Sequence, residues 1–114
     1  MATFKWLSDY DELIASYTIH DLRESGDMHY INIEVHLKDS SQLFIKEFNE
    51  PGRRKYSFHW QSRSGELILR WDNAPHFQNL PNFPHHKHLP DQSVESSYDI
   101  PLEDVLQYIA NRIY

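Results

Sequence analysis

The chain has 114 residues, 39% apolar and 14% aromatic with only 3 Gly, a composition that folds around Trp, Tyr and Phe and excludes a disordered tail; one domain over 1–114 is expected. It has no Cys, which excludes disulfide scaffolds and thiolate metal sites, and no apolar run near the ~18 residues of a transmembrane helix. A formal charge of −6 argues against a surface coated in nucleic-acid contacts, yet residues 46–71 set Lys46, Arg53, Arg54, Lys55, Arg63 and Arg70 against Glu47, Glu50 and Glu66, a local excess of +3.

Residues 8–16 open with cap-type Ser and Asp and place Asp9, Asp11 and Glu12 where a first helical turn favours negative charge, which predicts a short N-terminal helix. Residues 17–24 and 29–38 are rich in β-branched and aromatic side chains. In the second, Ile31, Ile33, Val35 and Leu37 alternate with Asn32, Glu34, His36 and Lys38, the pattern of a half-buried strand. Turn clusters at 25–27 and 39–41 then predict a three-stranded meander closing with residues 42–48, ended by Pro51 and Gly52. Arg53, Arg54 and Lys55 read as a solvated turn before the next strand.

A hairpin follows. Tyr56, Phe58 and Trp60 alternate with Ser57, His59 and Gln61, residues 62–65 turn the chain, and Leu67, Leu69 and Trp71 alternate with Ile68, Arg70 and Asp72. The two apolar sets must share a face. Pairing Gln61 with Glu66 does this, setting Trp60 across from Leu67 and Phe58 across from Leu69, and it leaves His59 and Arg70 on the other face as diagonal neighbours, roughly 7 to 8 Å apart. Trp60 and Trp71 read as core.

Residues 73–99, with Pro75, Pro81, Pro84 and Pro90, read as a long loop folding back over the polar face. The last element is a helix: Pro101 suits its first position, Glu103 and Asp104 its first turn, and Leu102, Val105, Leu106, Ile109 and Ile113 recur at helical spacing. The fold class expected is α+β, an antiparallel sheet of about five strands with a short N-terminal helix, a histidine-bearing loop and a C-terminal helix packed on the sheet.

Histidine is the chemical signal. Five of the eight fall between residues 56 and 95, at His59, His76, His85, His86 and His88, and imidazole is both the proton carrier of neutral pH and the commonest metal ligand. The strings Tyr56-Ser-Phe-His59-Trp-Gln61, Gly65-Glu-Leu-Ile-Leu-Arg70-Trp-Asp72-Asn73-Ala74-Pro75-His76, Phe83-Pro84-His85-His86-Lys87-His88 and Pro101-Leu-Glu-Asp-Val-Leu together resemble the TumE-type toxins of bacterial and archaeal toxin-antitoxin pairs. Lys46-Glu47-Phe48 is similar to that family's acidic-aromatic step at the end of the third strand. The resemblance spans nearly the whole chain. It implies a small cytoplasmic toxin, paired with a helix-turn-helix antitoxin and acting on RNA; the lack of a signal-peptide pattern agrees with that location.

Cutting RNA without a metal needs a base for the 2′-hydroxyl proton, a cation for the phosphate and an acid for the leaving 5′ oxygen. His59 is the candidate base or acid, Arg70 the clamp, Glu47 a second carboxylate, and one of His76, His85, His86 or His88 the partner acid. Lys46, Arg53, Arg54, Lys55, Tyr56, Gln61 and Asn73 are candidate RNA contacts. No metal or other cofactor is expected on this reading, and Asp72 to Pro75 has a turn-building account of its own. Two rivals stand beside it. His86 and His88 point the same way in an extended segment, and His76 or His85 could complete a three-nitrogen zinc site of a metal-dependent hydrolase. A non-catalytic toxin would instead bind a protein through its aromatic, acidic surface, and self-association of the chain stays open.

Overall fold

The structure is a computed structural model that describes residues 4–113. A helical turn, α1 (Lys5–Asp9), leads into seven antiparallel strands, β1 (Ile14–Ser25), β2 (Met28–Leu37), β3 (Gln42–Glu50), β4 (Arg53–Gln61), β5 (Leu67–Asp72), β6 (His86–His88) and β7 (Val94–Ser96), and the chain closes with α2 (Leu102–Ile113). The strands lie in the sheet in sequence order, so every connection joins neighbours. Tight turns make this meander possible. Gly26 and Gly52, in the loops between β1 and β2 and between β3 and β4, have φ of 57° and 75°, a region where a Cβ is strained.

The α+β class holds, with seven strands rather than about five. The N-terminal helix lies earlier than expected, because Trp6 seats it against the core; Asp11 and Glu12 fall in turns after it, and β1 begins at Ile14. Arg53, Arg54 and Lys55 are not a turn. Pro51 and Gly52 alone make the reversal, so all three basic residues enter β4 and alternate between its faces. The predicted long loop contains β6 and β7: residues 73–85 bring His76 and Phe77 to the polar face, and the chain then pairs with β5 and extends the sheet.

One face of the sheet is the core. Ile33 on β2, Ile45 on β3, Phe58 on β4 and Trp71 on β5 form one cross-strand row, with Val35, Leu43, Trp60 and Leu69 in the next. Trp6, Leu13 and Ile100 close over them, together with the stripe of α2 made by Leu102, Val105, Leu106 and Ile109. Tyr108 of α2 meets Trp60 and Trp71 edge-on, at ring distances of 6.4 and 5.5 Å. The Trp60 indole N–H donates to Ser41 Oγ at 2.9 Å, so its burial leaves no polar atom stranded.

The hairpin register differs from the expected one by two residues. Ser62 and Glu66 close the turn and Gln61 pairs with Leu67, which would bring Trp60 against Ile68. A bulge at that point adds one residue to β5, so Leu69 stands opposite Trp60 and Phe58 opposite Trp71. Burial therefore sets the parity, as argued from the alternation, while turn and bulge together choose the pair. His59 then faces Arg70 directly rather than diagonally.

Candidate functional site

The pleat that buries Phe58 and Trp71 turns their neighbours to the other face, which no helix covers. Two adjacent cross-strand rows carry chemistry there. The first runs Glu34, Phe44, His59, Arg70, His88 and the second Asn32, Lys46, Ser57, Asp72, His86, from β2 to β6. Arg70 and His88 of the first row and Lys46, Ser57, Asp72 and His86 of the second line a cleft of about 820 Å³, with Lys55 and Phe77 also in its walls.

Arg70 is held at two points. Its Nε donates to Asp72 Oδ2 at 3.1 Å and its Nη1 to His59 Nδ1 at 3.3 Å. A guanidinium only donates, so His59 Nδ1 must present its lone pair, and Nε2–H of the neutral ring donates to Gln61 Oε1 at 3.2 Å. Partial burial lowers the His59 pKa below the usual histidine value, with the Arg70 charge acting in the same direction.

Asp72 is the hub. It is 5% exposed, and its Oδ1 accepts the Ala74 N–H at 3.0 Å, which fixes the turn leaving β5. His86 Nε2 lies 2.9 Å from Oδ1 and His88 Nε2 3.2 Å from Oδ2, while the two Nε2 atoms are 3.1 Å apart. His86, 1% exposed, donates from Nδ1 to the Pro84 carbonyl at 2.9 Å. Phe77 packs edge-on against both rings, 4.7 Å from His86 and 5.8 Å from His88. Burial lowers the His88 pKa, with the Asp72 carboxylate opposing.

Several predicted residues stand elsewhere. Glu47 is not a partner of His59: its carboxylate accepts Arg54 Nε at 2.8 Å on the side of the helices. Arg54 also donates to Asp99 and to the Ile100 carbonyl and lies over the Tyr56 ring, so it braces the core rim. Tyr56 and His85 are on that side too, with the Tyr56 hydroxyl 2.9 Å from His85 Nδ1 and donating to the Tyr98 carbonyl. Burial pushes the Tyr56 pKa up to about 12. His85 alternates with His86 in the extended backbone, and so it leaves the cluster. Asn73 is structural, its amide bridging Tyr56 N and the Arg54 carbonyl. Gln61 touches His59, and both stand beside the cleft rather than in its lining, whereas Lys46, Arg53, Lys55 and His76 line it and Glu47, Tyr56 and Asn73 border it.

Sequence reasoning missed Asp72 and Phe77. Asp72 does build the expected turn through Oδ1, and its alternation with Arg70 also places it on the polar face. Phe77 carried no sequence signal, because its position depends on the path of residues 73–85. Of the nitrogens proposed for a metal, His86 and His88 converge and His76 and His85 do not; the third member of the group is a carboxylate.

Among the described residues no helix is long and apolar enough to cross a membrane. A family model described as Toxin TumE matches residues 3–113. No curated protein and no solved structure matches the chain.

Proposed function

The chain belongs to the TumE toxin family, and from that premise we propose that it is the toxin of a toxin-antitoxin pair, restrained by a helix-turn-helix antitoxin, and that it arrests growth by cutting cytoplasmic RNA in the open-face cleft. The observation that carries this reading is the row His59, Arg70, His88, a guanidinium with an imidazole on each neighbouring strand. Neighbouring strands are about 4.8 Å apart, so the two imidazoles are spaced to stand on either side of a phosphodiester clamped by Arg70.

Two of the five guanidinium N–H groups hold Asp72 and His59, and the others serve the phosphate. His59, kept neutral by burial and by Arg70, takes the 2′-hydroxyl proton as that oxygen attacks phosphorus. Its bond to Arg70 is long at 3.3 Å and yields when the guanidinium turns to the phosphate. The bond to the 5′ oxygen breaks, leaving a 2′,3′-cyclic phosphate, and the departing oxygen takes a proton from the group of Asp72, His86 and His88. Lys46, Arg53 and Lys55 along the wall supply the local positive charge that an acidic chain needs to hold RNA.

The test is cleavage of single-stranded RNA by the purified chain and by Arg70→Ala, each checked for folding by circular dichroism. The wild type is expected to cut RNA and to spare the same strand carrying 2′-deoxyribose at the cut. A wild type that arrests growth while leaving all cellular RNA intact, or an Arg70→Ala protein that cuts normally, refutes the reading.

A further inference from the structure

The contacts among Asp72, His86 and His88 do not balance as hydrogen bonds while both rings are neutral. The Pro84 carbonyl accepts only, so His86 carries its proton on Nδ1, and the neutral ring then presents a bare lone pair at Nε2. That lone pair points at a carboxylate oxygen 2.9 Å away and at His88 Nε2 3.1 Å away. His88 Nε2 carries at most one proton, which serves its contact with Asp72 at 3.2 Å or its contact with His86, and in either case His86 Nε2 still meets the Asp72 oxygen with no proton between them. A positive charge is wanted there, supplied by a second proton on His86 or by a bound cation.

We propose that Asp72, His86 and His88 bind a divalent first-row transition-metal ion of the zinc class, through the Asp72 carboxylate and the two Nε2 atoms, with the ion open toward the cleft. Geometry and chemistry agree. Donors about 2.05 Å from one ion stand roughly 2.9 Å apart at right angles and roughly 3.3 Å apart at tetrahedral angles; the two Nε2 atoms here are 3.1 Å apart, with His86 2.9 Å from Oδ1 and His88 3.2 Å from Oδ2 of the same carboxylate. Two imidazoles with one carboxylate and a free position form the donor set of open catalytic zinc sites.

The surroundings fit as well. His86 Nδ1–H on a backbone carbonyl is the partner that fixes the tautomer of a metal-binding histidine, and the Ala74 N–H and Arg70 Nε hold the carboxylate. Phe77 packs edge-on against the two imidazoles and helps fix their orientation. Among the described residues no other set of three such side chains converges in this way, despite the many histidines. For the use of the ion, though not for its binding, the proposal rests on the RNA reading above: an ion there takes the charge developing on the departing 5′ oxygen.

The test is titration of the chelator-treated, full-length chain with Zn²⁺ by calorimetry, followed by NMR of the histidine rings. One equivalent is expected to bind, shifting the ring signals of His86 and His88 and leaving that of His85 in place. Asp72→Asn and His88→Gln are each expected to weaken binding by more than ~100-fold, beyond the loss typical of an outer-shell change, while His85→Ala leaves it unaltered. His88 is the more exposed of the ligands, so His88→Gln remains readable if the Asp72 variant fails to fold. A folded wild type that binds no Zn²⁺ at millimolar concentration, binds it equally after His88→Gln, or keeps protons on both nitrogens of His86 in its presence overturns the site. Zn²⁺ bound without RNA cleavage removes the RNA reading alone, and cleavage by a chain that binds no Zn²⁺ removes the metal alone.

Discussion

Phe58 and His59 are adjacent in β4, share the same pair of neighbouring strands and answer to opposite physics. Phe58 is fully buried and belongs to a row of apolar side chains running from Ile33 to Trp71 beneath α2. His59 belongs to a row running from Glu34 through Arg70 to His88 that no helix covers. The first row is held by exclusion of water, which depends on volume; the second by directed hydrogen bonds between charged and titratable groups, which depend on angles and atom types. The helices are spent on one face. The other is left free to hold polar groups whose remaining hydrogen-bonding capacity points into a cleft.

The sharpest break between the two faces comes from truncating these neighbours one at a time. Phe58→Ala is expected to lower unfolding free energy in denaturant by about 3 to 5 kcal/mol, since α2 and the sheet cannot both close on the space left. His59→Ala is expected to stay within about 1 kcal/mol in the same assay and yet to slow RNA cleavage by ~100-fold or more. Equal destabilisation by the two would mean that the open face also carries the fold. Next in size, Arg70→Ala is expected to reduce cleavage by roughly 10² to 10³, the usual loss when a preorganised donor to a developing charge is removed, with the melting temperature little changed.

The two faces were unequally legible in sequence. Strict alternation in residues 31–38 and 56–61, and the helical spacing of Leu102, Val105, Leu106 and Ile109, announced the core face, because burial imposes a period that composition alone reveals. Register was less accessible: a single bulged residue at Ile68 decides whether His59 faces Arg70 or Leu69, and bulges leave no trace in hydrophobic pattern. Strands β6 and β7 were hidden for another reason. With three residues each they are too short to show a period, and four prolines around them signal a loop. The site inherited that gap, since Asp72 meets His86 and His88 only because β6 pairs with β5.

His85 and His86 sharpen the same contrast within one peptide unit. His85→Phe removes the partner of the Tyr56 hydroxyl and is expected to cost about 1 kcal/mol in denaturant unfolding, with cleavage unchanged, because the Tyr98 carbonyl still accepts from that hydroxyl. A loss of cleavage comparable to that of Arg70→Ala would return His85 to the site and undo the division by faces.

The smallest expected effect is a pH dependence confined to the open face. His59 has its pKa lowered in the folded chain, first by burial and then by Arg70, so between that value and the unfolded value of about 6.5 the unfolded chain binds more protons. Its contribution to stability is therefore complete above pH ~6.5 and is lost as pH falls through the folded pKa. Thermal melts from pH 7.5 down to 5.5 should show the wild type losing more melting temperature than His59→Gln, whose amide can still accept from Arg70 but has no proton to take up. Because the ring is only partly buried, solvent screening keeps this difference to a small part of the Phe58→Ala effect. Parallel melting curves for the two proteins across that range would mean that His59 feels neither burial nor its neighbour, and would leave Arg70 without the imidazole that orients it.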